Sequence, residues 1–192
     1  MKIVVGLTGA SGMPYALALL KILRKKGVKV TLISSNTGRR VAAEELDGGA
    51  ASLERLAGEV LENCDMGAWP ASGSNDFDGM IVIPCTTSTL SKIAYGIGDT
   101  LITRTAAVAL KERRKLVLVP RETPLSLPMI EAMRAATLAG AVVLPAMPGF
   151  YHRPKEVSEL VDFVAERCAS ALGVKVKEGV RWKAKKGSTQ NP

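Results

Sequence analysis

Five short runs of β-branched and aliphatic residues punctuate this chain: Lys2–Leu7, Lys29–Ser34, Gly79–Ile83, Lys115–Val119 and Ala141–Leu144. Within them apolar residues follow one another without alternation, the pattern of strands covered on both faces. Helical segments separate the runs. In Tyr15–Lys26, Leu17, Leu20 and Leu23 recur at three-residue steps, and Arg24, Lys25 and Lys26 gather at the end, where cations suit the helix dipole. Gly27 is the expected stop. Asp99–Arg113, Pro124–Ala139 and Pro154–Leu172 read as further helices, two of them opening on a proline in the first turn. Gly48–Ala51 and Ala71–Asn75 read as loops. Strands alternating with helices predict an α/β fold, a doubly wound parallel sheet with right-handed crossovers: a Rossmann-like or flavodoxin-like three-layer sandwich.

The length of 192 residues suits one domain, expected over 1–174, followed by a basic tail over 175–192. Of the 26 basic and 18 acidic residues, the tail holds six and one, which reduces the net charge from +8 to +3 in the body. Charge alone would suggest a nucleic-acid module with steeply salt-dependent binding. A nearly balanced body and an aromatic content of 4% argue against it, so no nucleic acid is expected as a partner. No apolar run approaches the roughly 20 residues that span a bilayer, and no membrane partner is expected. The amino-terminal residues read as a first strand rather than a secretory leader. Cys64, Cys85 and Cys168 form no C-x-x-C pair, which favours neither a disulfide framework nor zinc and points to a reducing cytoplasm.

In a doubly wound sheet, ligands sit beyond the carboxyl ends of the strands. After the first run comes Gly6-Leu7-Thr8-Gly9-Ala10-Ser11-Gly12-Met13-Pro14, whose glycines allow close backbone approach. Gly9, Ala10 and Ser11 are expected to cradle an anion at the helix start, though the same residues would also serve a plain tight turn. The spacing is G-x-x-G-x-x-G, and the second run ends in Ser34-Ser35-Asn36 where a dinucleotide enzyme would carry an acidic residue. A mononucleotide is the better match. The third run leads into Cys85-Thr86-Thr87-Ser88-Thr89, whose hydroxyls suit a phosphate or a polyol, or an N-cap without ligand. Cys85 reads as a small core residue. Arg121 and Glu122 close the fourth run between prolines, as a binding pair or a local ion pair. Arg104 and Lys111 fall on one helical face. His152 is the only histidine, too few for a metal site, and reads as structural or supporting.

Taken in order, Gly9-Ala10-Ser11-Gly12 with Tyr15, Ser35, Glu45-Leu46-Asp47, Pro84-Cys85, Thr103-Arg104, Lys111-Glu112-Arg113-Arg114, Arg121-Glu122-Thr123-Pro124 and Phe150-Tyr151-His152-Arg153-Pro154 resemble the flavin prenyltransferase family of UbiX/Pad type. The resemblance covers nearly the whole chain. It implies transfer of a dimethylallyl group from dimethylallyl phosphate to reduced flavin mononucleotide (FMN), closing a ring across N5 and C6 without a metal. The prenylated FMN would serve a partner decarboxylase. By resemblance, Gly9, Ala10, Ser11, Ser35, Thr86, Thr87, Ser88, Thr89 and Arg121 hold the flavin. Arg104, Lys111, Arg121, Glu122, Tyr151 and Arg167 surround the donor's phosphate, and Trp182 joins them. Ser11 and Glu45 manage protons. The family's assembly implies a homo-oligomer, typically a dodecamer, with sites shared between subunits. Flavin-dependent cysteinyl decarboxylases share this fold but use an early histidine, which this chain lacks before position 152.

Overall fold

A computed structural model of the chain describes residues 1–176; Trp182 and most of the basic tail lie outside the described residues. Six strands form one parallel sheet: β1 Lys2–Leu7, β2 Lys29–Ser34, β3 Glu59–Glu62, β4 Gly79–Cys85, β5 Lys115–Pro120 and β6 Val142–Val143. Their spatial order is β3-β2-β1-β4-β5-β6. The helices are α1 Met13–Lys25, α2 Asn36–Glu45, α3 Gly49–Glu54, α4 Thr87–Ala94, α5 Leu101–Lys111, α6 Leu127–Leu138 and α7 Val157–Ala171. This is the doubly wound α/β architecture that the apolar runs predict.

The absence of alternation in the runs has a direct cause. Ile3, Val5 and Leu7 of β1 enter a core made with Leu19, Leu20 and Leu23 of α1 and Val164 and Cys168 of α7. Val4 enters the opposite core, with Met80, Val82 and the α5 residues Ile102, Ala106 and Ala109. Gly6 also faces that side, where an added Cβ would come within 3.2 Å of Ile102. Both faces of the central strands are therefore dry, and every position on them must be apolar or small.

α1 starts two residues before Tyr15, with Pro14 in its first turn, and stops as expected. Gly27 adopts a left-handed φ of 68° while its amide donates to Arg24 and that of Val28 donates to Leu23. That double closure satisfies carbonyls which the helix leaves open. Several expectations need correction. β3 carries only Val60 and Leu61 between glutamates, and its edge position leaves Val60 exposed, so no apolar run marks it. Gly49–Glu54 is helical rather than a loop, and Thr87–Thr89 form the first turn of α4. α6 begins at Leu127 with Pro128, not Pro124, in its first turn, because residues 121–126 first cross the carboxyl edge of the sheet as a loop. α7 likewise begins three residues after Pro154, and β6 keeps only the two central residues of its predicted run. Among the described residues no helix is long and apolar enough to cross a membrane.

Candidate active site

Connections from β1 and from β4 diverge to opposite faces of the sheet, and the strand order reverses between these neighbours, leaving a crevice at their carboxyl ends. A cavity of about 320 Å³ opens there, lined by Thr8, Gly9, Ser35, Thr37, Asn63, Thr86, Ser88, Thr89, Lys92, Thr100, Ile102 and Thr103. Eight of these carry hydroxyls, one is a cation and none is a carboxylate. Such a lining suits a phosphate or a polyol that seeks many neutral donors.

Local structure fixes each wall. Thr8, only 3% exposed, donates its hydroxyl to Pro84 O at 2.8 Å and accepts the Thr86 amide at 2.8 Å, pinning the exit of β1 to that of β4. Thr86 then caps α4: its hydroxyl accepts from Thr89 N at 3.1 Å and donates to Thr89 Oγ1 at 2.9 Å. Ser35 caps α2 by accepting from Gly38 N at 3.0 Å. Asn63, just past β3, accepts from Leu101 N at 2.9 Å and from Ile102 N at 3.0 Å, and Thr100 with Thr103 completes the α5 start as a capping box. Three helix starts therefore surround one cavity, each adding positive potential. Gly9 approaches Thr37 so closely that a Cβ would lie 2.6 Å from that residue's Cβ, so the turn tolerates no side chain.

Beside the cavity lies a second cluster. Glu45, at the end of α2, accepts the amides of Gly12 and Met13, both at 2.8 Å, and hydrogen-bonds the Ser11 side chain. Arg121 Nε donates to Ser11 O at 3.3 Å. Glu45 thus caps α1, whose N-cap Gly12 has no side chain to do so. The anion at the α1 start is the chain's own carboxylate, Ala10 is buried away from the cavity lining, and Thr87 does not line it either. Burial by itself would raise the Glu45 pKa, but hydrogen bonds from Ser11, Gly12 and Met13 and the charge of Arg121 outweigh it and hold the carboxyl below its usual range. At neutral pH it is a carboxylate.

The remaining predicted residues are dispersed. Arg104, in the first turn of α5, donates to Ala71 O at 3.0 Å. Glu122 accepts the Thr123 amide at 3.0 Å. Tyr151 stands edge-on to His152 and Phe163, with ring centroids 5.7 and 5.8 Å away. Lys111 pairs with Glu112 at the far end of α5, just before β5 begins and so beside the amino edge of the sheet. Exposed Arg167 lies late in α7, near the end where Leu172 O meets Lys115 of that same edge. One chain thus joins Gly9, Ser35, Thr86, Ser88 and Thr89 around a cavity, and Ser11, Glu45 and Arg121 beside it, but leaves Lys111 and Arg167 at the other edge. Cys85 is fully buried, which pushes its thiol pKa far up and removes it as a nucleophile. Sequence reasoning missed Thr37, Asn63, Lys92 and Thr100, and gave no role to Thr8 and Thr103, which stand in the stretches it quoted. Asn63 would have followed from the rule of looking just past each strand, had β3 been seen.

The chain matches the Flavoprotein family model over residues 1–169. It is 44% identical over 182 residues to the flavin prenyltransferase UbiX of Deinococcus radiodurans, spanning 95% of this chain and 93% of that one. Among solved structures, a dodecameric FMN-dependent UbiX-like decarboxylase from Escherichia coli O157:H7 is 40% identical, with a TM-score of 0.93 over 96% of this chain and all of that one. AnUbiX (PadA1), solved with FMN and dimethylallyl pyrophosphate, is 39% identical with a TM-score of 0.93 over 96% and 98% of the two chains.

Proposed function

This chain belongs to the flavoprotein family, among its flavin prenyltransferases, and from that premise we propose how its residues divide the work. The enzyme transfers a dimethylallyl group to reduced FMN. The carboxylate-free, hydroxyl-rich cavity at the switch point fits the phosphate and ribityl chain, with Gly9, Ser35, Thr86, Ser88 and Thr89 as its neutral donors. When bound, reduced flavin supplies the nucleophilic N5 and C6 edge.

Arg121, held beside Ser11, would stabilise the negative charge of the departing phosphate as the donor's C–O bond breaks, a task that a preorganised guanidinium suits. Glu45, held ionised, accepts the proton lost from N5, with the Ser11 hydroxyl as relay. Arg104, Glu122 and Tyr151, dispersed within one chain, would complete the donor pocket in the assembled protein. Lys111 and Arg167 reach it from neighbouring copies, since each sits at the opposite edge of its own sheet. An oligomer is also supported by Leu127, Ile130 and Leu138 of α6 and Val142 of β6, exposed apolar residues along one flank of the chain. The product would pass to a decarboxylase that uses prenylated FMN, in a reducing cytoplasm suited to three free cysteines.

The observation that carries this reading is the Ser11–Glu45–Arg121 cluster set against the hydroxyl cavity. Anaerobic incubation with reduced FMN and dimethylallyl phosphate, followed by mass analysis of the extracted flavin, should yield a five-carbon adduct. Unmodified flavin from protein that binds FMN would reject the reading.

A further inference from the structure

We propose that Lys92 is the cation that holds the flavin's phosphate, and that it sets this chain's preference for FMN over unphosphorylated riboflavin; the inference rests on the flavin-binding reading above. Lys92 follows Ser88 by four residues and Thr89 by three on α4, so the three share one helical face, and all three line the cavity. It is the one cation in that lining, whose other polar groups are hydroxyls and the Asn63 amide; its carboxylate partner, Asp99, lies outside the lining.

Its position is built rather than loose. Lys92 Nζ bonds Asp99 Oδ2 at 2.5 Å, while Asp99 Oδ1 accepts from Thr103 Oγ1 at 3.3 Å, and Thr103 belongs to the α5 capping box. The tether runs from the last turn of α4 to Asp99 and holds the ammonium beside the start of α5. An ammonium has three donors and Asp99 takes one, leaving two for a ligand. The pair itself is half-exposed, at 37% and 46% of side-chain area, and such pairs contribute little to folding. Neither Arg121, whose Nε donates to Ser11 O, nor Arg104, whose Nε donates to Ala71 O, is in the cavity's lining. Neutral hydroxyls bind a ribityl chain as readily as a phosphate. A full positive charge among them, added to the potential of the three helix starts, would favour a dianion over a plain alcohol.

The test is titration of the full chain with FMN and, separately, with riboflavin, for wild type, Lys92→Met and Lys92→Arg. Lys92→Met should weaken FMN binding by about tenfold or more, the loss of one charged hydrogen bond, and leave riboflavin within about twofold. Lys92→Arg should keep most of the preference, and the salt dependence of FMN binding should flatten only in Lys92→Met. Parallel weakening of both flavins would assign Lys92 to the α4 terminus and the Asp99 pair alone and overturn the proposal, as would an unchanged ratio. Wild-type protein that binds neither flavin removes both readings. A preserved FMN preference without a prenyl adduct removes only the transferase reading.

Discussion

Replacing Glu45 separates two duties that the structure places on one carboxylate. Its Oε2 takes the amides of Gly12 and Met13 at 2.8 Å, so Glu45→Ala strands two donors at the start of α1. Loss of such a cap costs about 1–2 kcal/mol, and at about 2–4 °C per kcal/mol for a domain of this size the melting temperature should fall by a few degrees. Glu45→Gln keeps a carbonyl oxygen for those amides and loses only the charge at the helix start, about 0.3–1 kcal/mol. Turnover should behave differently. A carboxylate acting as general base contributes about 10²–10⁴-fold, so Glu45→Gln should bind FMN and melt nearly as wild type, yet form adduct at least about a hundredfold more slowly in anaerobic single turnover. The stability gap between wild type and Glu45→Gln has a definite pH sign. The folded pKa is lowered from the ordinary 4.5, so the charge stabilises the fold above that value and its contribution disappears as pH falls below it. Unimpaired adduct formation in Glu45→Gln would remove Glu45 as the base, and a melting temperature as low as that of Glu45→Ala would refute the capping argument.

Gly9→Ala should reduce FMN affinity by about tenfold or more, because a Cβ 2.6 Å from that of Thr37 forces the β1–α1 turn away from the cavity; wild-type affinity would disprove the close approach. Thr8→Val leaves the Thr86 amide without its buried acceptor and should cost about 1–3 kcal/mol together with flavin affinity, whereas Thr8→Ser retains both; calorimetry alongside FMN titration reads the difference. For thiol reagents at neutral pH, Cys64 is exposed while Cys85 and Cys168 are buried, the latter with its pKa pushed up to about 12. Native protein should therefore label quickly at one cysteine and denatured protein at three, and rapid native labelling of Cys85 would contradict the packing.

The two-sided burial of β1, β2, β4 and β5 made the sheet readable, since apolar runs without alternation admit few other folds. β3 escaped because Glu59-Val60-Leu61-Glu62 is an edge strand half turned to solvent, and edge strands need no apolar run. That omission hid Asn63 as well. The hydroxyl cluster was visible as Thr86–Thr89, but which of them face the cavity depends on the phase of α4, fixed by the Thr86 cap and by Thr8 at the end of another strand. Ser11, Glu45 and Arg121 are 34 and 76 residues apart in successive steps, and no periodicity links them. Ser11 and Arg121 were legible as residues just past strands, Glu45 only through resemblance, and the structure supplies the reason for their meeting: α1 begins on a glycine and borrows its cap from α2. Lys111 and Arg167 were named in the same way, yet their own chain sets them at the wrong edge of the sheet.

That displacement gives the account its sharpest exposure. A crystal structure of the assembled protein with FMN and dimethylallyl phosphate should place the flavin phosphate among Ser88, Thr89 and Lys92 of one copy, and the donor phosphate between its Arg121 and the Lys111 and Arg167 of neighbours. A donor bound by one chain alone, with every Lys111 and Arg167 remote from it, would contradict the shared site.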